Sequence, residues 1–227
     1  MKQVLPAILI TVCIAGSCFS QTDSASLLQE VETKLKDHVA PVSSVLTDKN
    51  YESLHSSTAF RELIRQHSDA RILTIATTTE PGIKIKVWGM VKNKDGQPVA
   101  GALVYLYQTD ARGWYSSDAP HILINEGDFK HARLFGYVKT DNDGKFVLHT
   151  IKPSGYPKSD LPAHIHVHVM AERYQPYATE FLFEDDERLK GEVLNRAIVD
   201  GGMIGKPEPA ALPFAQQFSY QIRLRKE

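Results

Sequence analysis

From Ile83 onward, apolar residues recur at every second position between turns rich in Gly, Asp and Asn. Ile83, Ile85, Val87 and Gly89 alternate with Lys84, Lys86 and Trp88. Successive strand side chains point to opposite faces, so this period of two predicts a half-buried strand rather than a helix. The same pattern predicts strands at 102–107, 134–139, 146–150, 164–170, 179–183 and 217–224. Asn93-Lys94-Asp95-Gly96 reads as a turn, and Asp141-Asn142-Asp143-Gly144 as a hairpin turn. A helix is expected near 189–198 only. Short strands with tight turns and few helical stretches predict an all-β fold, a β-sandwich core of mainly antiparallel strands.

The N-terminal third reads differently. Lys2 followed by the apolar run Val4 to Ile14, with Ser20 before Gln21, predicts a secretory signal over residues 1–20. The run is too short to span a membrane. Both cysteines, Cys13 and Cys18, fall inside it, so the mature chain is expected to lack thiols, disulfides and a Cys nucleophile. A lipidated Cys18 is the weaker reading, because Ala15-Gly16-Ser17 is a poor match for the preceding positions. The protein is therefore expected to be exported, to the periplasm or beyond. Residues 21–75 are expected to form a short helical extension, with helices at 23–39, ended by Pro41, and at 60–67. Residues 76–227 are expected to form the β domain. Lys and Arg number 26 against 27 Asp and Glu, a net charge of −1. That balance excludes nucleic acid as the main partner, since phosphate binding needs clustered cations. A homo-oligomer is compatible with the sequence.

Chemistry concentrates in one stretch. Tyr156-Pro157 is followed by Pro162-Ala163-His164-Ile165-His166-Val167-His168. On a strand, His164 and His166 share a face, roughly 6–7 Å apart along the chain, close enough to reach one metal ion. Imidazole alone suits several transition metals, whereas a phenolate oxygen favours a hard, oxidised ion such as Fe(III). His168 lies on the same face one step further and is read as a surface or supporting residue. His121, His131 and His149 are read as ordinary polar side chains, the first two near the mouth of any pocket. Asp185, Asp186 and Glu187 are read as a solvated charge run, and Tyr107 as core.

Several segments together resemble the intradiol ring-cleavage dioxygenases. They are Gly96-Gln97-Pro98-Val99-Ala100-Gly101-Ala102, Gln108-Thr109-Asp110-Ala111-Arg112-Gly113-Trp114-Tyr115, Ile151-Lys152-Pro153-Ser154-Gly155-Tyr156-Pro157 and Pro162-Ala163-His164-Ile165-His166. The resemblance covers residues about 83–185 and implies that Tyr115, Tyr156, His164 and His166 hold a non-haem Fe(III). Two phenolates, one hydroxide and two neutral imidazoles leave that centre uncharged, which suits a partly buried site. It also implies a catechol-type substrate, O2 as co-substrate, and a Tyr156 that leaves the metal and takes a substrate proton. Two positions depart from the family pattern. Leu161 stands where an Arg usually precedes the histidine segment, and Glu180 stands where a Gln or Arg is common. Arg133 is the candidate to replace the missing charge in catalysis. The rival readings are a transthyretin-like β-sandwich binding module with a vestigial site and a zinc hydrolase. Catalytic zinc sites use His, carboxylate or Cys ligands rather than two phenolates.

Overall fold

The computed structural model describes residues 17–69, 71–116 and 132–227, with side chains from residue 23. The N-terminal part of the expected signal, His121 and His131 lie outside the described residues. Helix α1 (Ser17–Lys36) is followed by α2 (Val42–Thr47), a 3-10 turn (Lys49–Leu54) and α3 (Thr58–Gln66). The strands are β1 (Ile72–Thr74), β2 (Lys84–Asn93), β3 (Leu103–Gln108), β4 (Leu134–Lys139), β5 (Lys145–Ile151), β6 (His164–Met170) and β7 (Tyr177–Phe183). Helix α4 (Gly191–Val199), β8 (Met203–Gly205), β9 (Glu208–Pro209) and β10 (Gln216–Leu224) complete the chain.

Helix α1 stops before the position Pro41 predicted. His38 takes φ 53°, the left-handed conformation usually left to Gly. The Val39 N–H then bonds the Lys34 carbonyl at 3.0 Å and the His38 N–H bonds the Leu35 carbonyl at 3.3 Å. These two bonds close the helix end as a Schellman motif without a glycine to announce it. Leu35 of α1, Val42 and Val45 of α2, and Phe60 and Ile64 of α3 are buried in the same core as the strands. β1 lies inside the segment expected to be a helical extension, yet it pairs in parallel with β5.

The strands form two mixed five-stranded sheets, ordered β1-β5-β2-β10-β9 and β4-β3-β6-β7-β8. Three pairs are parallel: β1 with β5, β2 with β10, and β7 with β8. Periodicity does not encode strand direction, so the sequence left these unread. The Asp141–Gly144 turn is not a hairpin, which corrects the expectation. It carries the chain from β4 in one sheet to β5 in the other, with the Lys145 N–H bonded to Asp141 Oδ1 at 2.8 Å.

The sheets meet through one core. Phe181 of β7 stacks on Tyr220 of β10 at 4.0 Å, and Phe183 meets Phe218 edge-on at 4.8 Å. A polar stitch fixes them at the end where β3 runs out. Gln108, fully buried, donates from Nε2 to the Ile151 carbonyl at 2.9 Å and accepts from Thr150 Oγ1 at 3.1 Å. Buried amides are costly unless paired, so this arrangement holds one relative position of the two sheets.

Candidate metal centre

Just beyond that stitch, the two tyrosine-bearing segments are tied together. Thr109 Oγ1 donates to the Ser154 carbonyl at 2.7 Å, and the Ser154 N–H donates to the Asp110 carbonyl at 3.1 Å. The buried Asp110 carboxylate accepts from the N–H groups of Arg112 at 2.8 Å and Trp114 at 3.1 Å. That local turn needs Gly113 at φ 82°, and a Cβ there would collide with the Gly155 carbonyl. The two segments therefore touch through glycine backbone, and Tyr115 and Tyr156 leave the contact close together.

Four side chains converge. The Tyr115 and Tyr156 hydroxyl oxygens are 2.7 Å apart. Tyr156 Oη lies 3.0 Å from His164 Nε2 and 3.4 Å from His166 Nε2. The two Nε2 atoms are 3.1 Å apart, and His166 Nε2 is 2.9 Å from Tyr115 Oη. Metal–N and metal–O bonds are about 2.0–2.2 Å long, so donors around one ion stand roughly 3 Å from one another. The donor set and its spacing fit a single ion. Two phenolic oxygens and two imidazoles fit a hard ferric ion better than a soft one.

Each imidazole is turned by its other nitrogen. His164 Nδ1 donates to the Pro162 carbonyl at 2.8 Å, which leaves the Nε2 lone pair facing the tyrosines. His166 Nδ1 faces Glu180 Oε1 at 3.5 Å, its partner across the β6–β7 ladder. Glu180 also completes a metal-ligand-like trio with His164 and His166, all within 4.8 Å. Burial, then the neighbouring His164 and His168, push the His166 imidazole down to about 3, so it is a neutral donor near pH 7. Tyr107 stacks on the His166 ring at 4.5 Å and 13°. Tyr107 is buried as expected, but against the site: it lines a cavity of about 530 Å³ beside His166, His168, Glu180, Leu161 and Pro162.

The structure brings Tyr115, Tyr156, His164 and His166 together and places Arg133 elsewhere. The Arg133 guanidinium forms a bidentate pair with Glu80, at 2.8 and 2.6 Å, beside a separate cavity that Asp110 and Arg112 also line. Its bond to the site is through the backbone, where the Arg133 N–H donates to the Tyr115 carbonyl at 2.7 Å. His55 Nδ1 donates in turn to the Arg133 carbonyl at 2.7 Å, and Arg61 Nη2 to the Ala132 carbonyl at 2.5 Å.

The charge run after β7 is structural rather than merely solvated. Asp185 pairs with Lys152 at 2.7 Å, and Asp186 Oδ2 accepts from the Ala163 N–H at 2.8 Å, next to His164. Arg188 Nη1 donates to the carbonyls of Tyr156 and Leu161, both at 3.2 Å. Sequence reasoning named Asp186 only as part of a solvated run and missed Arg188, because a charge cluster between β7 and α4 carries no periodic signal.

On a β fold of two mixed sheets, two tyrosines and two histidines aimed at one point form a donor set suited to a single metal ion. A family model described as Dioxygenase matches residues 56–226, and the chain belongs to the intradiol ring-cleavage dioxygenase family. A chlorocatechol 1,2-dioxygenase of Rhodococcus opacus is 28% identical over 130 residues, 50% of this chain and 48% of that protein. A catechol 1,2-dioxygenase of Acinetobacter lwoffii is 33% identical over 116 residues, 44% of this chain and 36% of that protein. The chain thus spans about half or less of the length of these curated relatives. The solved dioxygenase domain of a dioxygenase–carbohydrate-binding protein fusion from Streptomyces sp. SirexAA-E matches with a TM-score of 0.54. That match has 24% identity and covers 70% of this chain and 90% of that one. An Acinetobacter catechol 1,2-dioxygenase structure matches at 0.56 with 17% identity, covering 70% and 58%. At these identities the structural likeness is one of fold.

Proposed function

We propose that this chain is an exported Fe(III) intradiol dioxygenase. It acts on a catechol-type substrate with O2, cleaving the ring between its two hydroxylated carbons to a muconate-type diacid that keeps both oxygen atoms. The convergence of Tyr115, Tyr156, His164 and His166, linked by five donor-to-donor contacts of 2.7–3.4 Å, carries this reading. Ferric iron held there would supply Lewis acidity toward the two catechol oxygens and a path for electron density from the ring to O2.

The chain's own residues have distinct tasks. His164 and Tyr115 anchor. His164 is turned by the Pro162 carbonyl, and Tyr115 is fixed by the Arg133 N–H. Tyr156 sits in residues 152–163, which have no helix or strand, so its ring can swing away from the other three donors. Its phenolic oxygen is then within the site as a base for one catechol proton. Tyr107 offers a flat wall beside His166. The Arg133 guanidinium is committed to Glu80, so the structure supports an indirect role for it, holding the backbone at Tyr115.

Oxygen uptake by iron-loaded protein supplied with catechol tests the reading. The expected result is one O2 per catechol, with the absorbance of a muconate growing in step. Iron-loaded protein that consumes no oxygen on catechol or hydroxycatechols contradicts it. Export rests on Lys2, the apolar run and Ser20, and N-terminal sequencing of the protein from its native host should begin at Gln21. Among the described residues, no helix is long and apolar enough to cross a membrane.

A further inference from the structure

The outer face of the second sheet continues past the metal centre as an aromatic strip. In β6, Ile165, Val167 and Val169 point into the core with no exposed surface, while His166 and His168 are half-buried and Met170 is 41% exposed on the other face. The register sets Tyr105 on one side of His168 and Ala178 on the other, with Tyr137 beyond Tyr105. The rings follow one another. Tyr107 lies on His166 at 4.5 Å, Tyr105 on Tyr107 at 5.2 Å, and Tyr137 on Tyr105 at 4.6 Å, with interplanar angles of 13°, 27° and 23°.

A second cavity of about 370 Å³ lies on this strip, lined by Tyr105, Tyr137, His168, Met170 and Tyr177 among others. It shares His168 and Ala178 with the cavity beside His166, so the two cavities adjoin at that cross-strand pair and together would make a groove along β6. A two-residue strand step advances roughly 6–7 Å, about the reach of a second ring joined directly or by a short linker to a ring at His166. Ala178 keeps the passage open, because a larger side chain opposite His168 would divide it. The wall is aromatic and aliphatic, and the Arg65 at its edge is already held by Glu62 at 2.7 and 2.6 Å.

Resting on the dioxygenase reading, we infer that this groove takes a second aromatic ring of the substrate, so that aryl-substituted catechols are preferred over catechol itself. Flat rings stack on aromatic faces and edges, which here are the half-buried Tyr137, His168 and Tyr177 rather than the buried Tyr105 and Tyr107, and the adjoining cavity beside His166 indicates where that ring would be attached. No cation is positioned there to receive a carboxylate, among the described residues lining the second cavity, other than the paired Arg65.

Calorimetric titration of iron-loaded protein without oxygen, using 4-phenylcatechol and catechol as ligands, tests this, with oxygen uptake measured on both. The expected wild-type result is at least about tenfold tighter binding of 4-phenylcatechol, the effect of burying one more ring. Ala178→Trp should reduce the ratio of the two affinities at least tenfold, and Ala178→Leu should give an intermediate ratio, which guards against a Trp variant that folds poorly. Equal wild-type affinities, no binding of 4-phenylcatechol, or a ratio unmoved in both variants overturns the groove. The titration requires no turnover. A protein with the expected preference that consumes no oxygen keeps the groove and removes the dioxygenase reading. One that cleaves catechol but binds both ligands equally does the reverse.

Discussion

Tyr115 and Tyr156 supply the same phenolic oxygen to one point, and they are held in opposite ways. Tyr115 is 2% exposed and follows a turn built by the Asp110 carboxylate. Its carbonyl is fixed by the Arg133 N–H, and Arg133, just before β4, is fixed by Glu80 and His55. Tyr156 is 8% exposed and sits in an irregular segment. Its carbonyl is held by Arg188 Nη1 at 3.2 Å and by the Ser159 N–H at 3.3 Å. A ligand embedded in backbone and buried charge pairs cannot move without breaking several of them. A side chain in a segment without helix or strand, held at its carbonyl by Arg188 and the Ser159 N–H, is less constrained. The site therefore pairs a tightly embedded tyrosine with one in an irregular segment, a difference that the proposed dual role of Tyr156, as ligand and then base, would use.

The largest expected effect breaks this comparison directly. Tyr156→Phe should retain most of its iron but lose about 10²–10⁴-fold in kcat, the usual contribution of a positioned base. Tyr115→Phe should instead lose iron during purification, seen as a fall in metal stoichiometry. If both variants lose iron equally, the asymmetry is wrong. Gly113→Ala comes next. It forces an L side chain into the left-handed region and against the Gly155 carbonyl, and should cost about 3 kcal/mol in chemical denaturation. Both tyrosines should be disturbed, because the two segments meet at that point.

Acid should loosen the Tyr115 side. Burial holds the His55 imidazole down to about 4, and among the described residues its Nε2 has no hydrogen-bond partner. The unfolded chain protonates this residue near its ordinary value of 6.5, so between pH 6.5 and 4 the unfolded state binds more protons. Stability is thus present above 6.5 and lost as the pH falls, by roughly 3 kcal/mol across the whole window. The difference in Tm between pH 7 and pH 4.5 should shrink in His55→Phe, and an unchanged difference would remove His55 from the account. The smallest effect is expected for Arg188→Ala, about 1 kcal/mol of stability and a several-fold change in kcat at constant iron content. It loosens the tether that Tyr156 and Leu161 share.

Much of this molecule was legible in residue patterns. The alternation from Ile83 onward located seven strands to within a few residues, because a half-buried strand must write its two faces into the sequence. The four converging side chains came as a set through the resemblance to the dioxygenase family, while spacing alone gave only the shared face of His164 and His166. What escaped was non-local. Parallel pairing of β10 with β2 leaves the same alternation as antiparallel pairing would. The end of α1 at Lys36, closed by His38 in the left-handed conformation, also escaped, because Pro41 was read as the stop. Arg188 and Asp186 act on backbone groups some twenty to thirty residues away, at Tyr156, Leu161 and Ala163, and nothing in their own segment announces those partners. Arg133 was noticed for its charge, whereas its contact with the site is its N–H.

Iron stoichiometry of the purified protein, read together with its visible absorption spectrum, tests the central claim most directly. One iron per chain is predicted, with a visible tyrosinate-to-iron charge-transfer band that shifts when catechol is added without oxygen. A colourless protein that takes up no iron on reconstitution would contradict the four-donor centre and everything built on it.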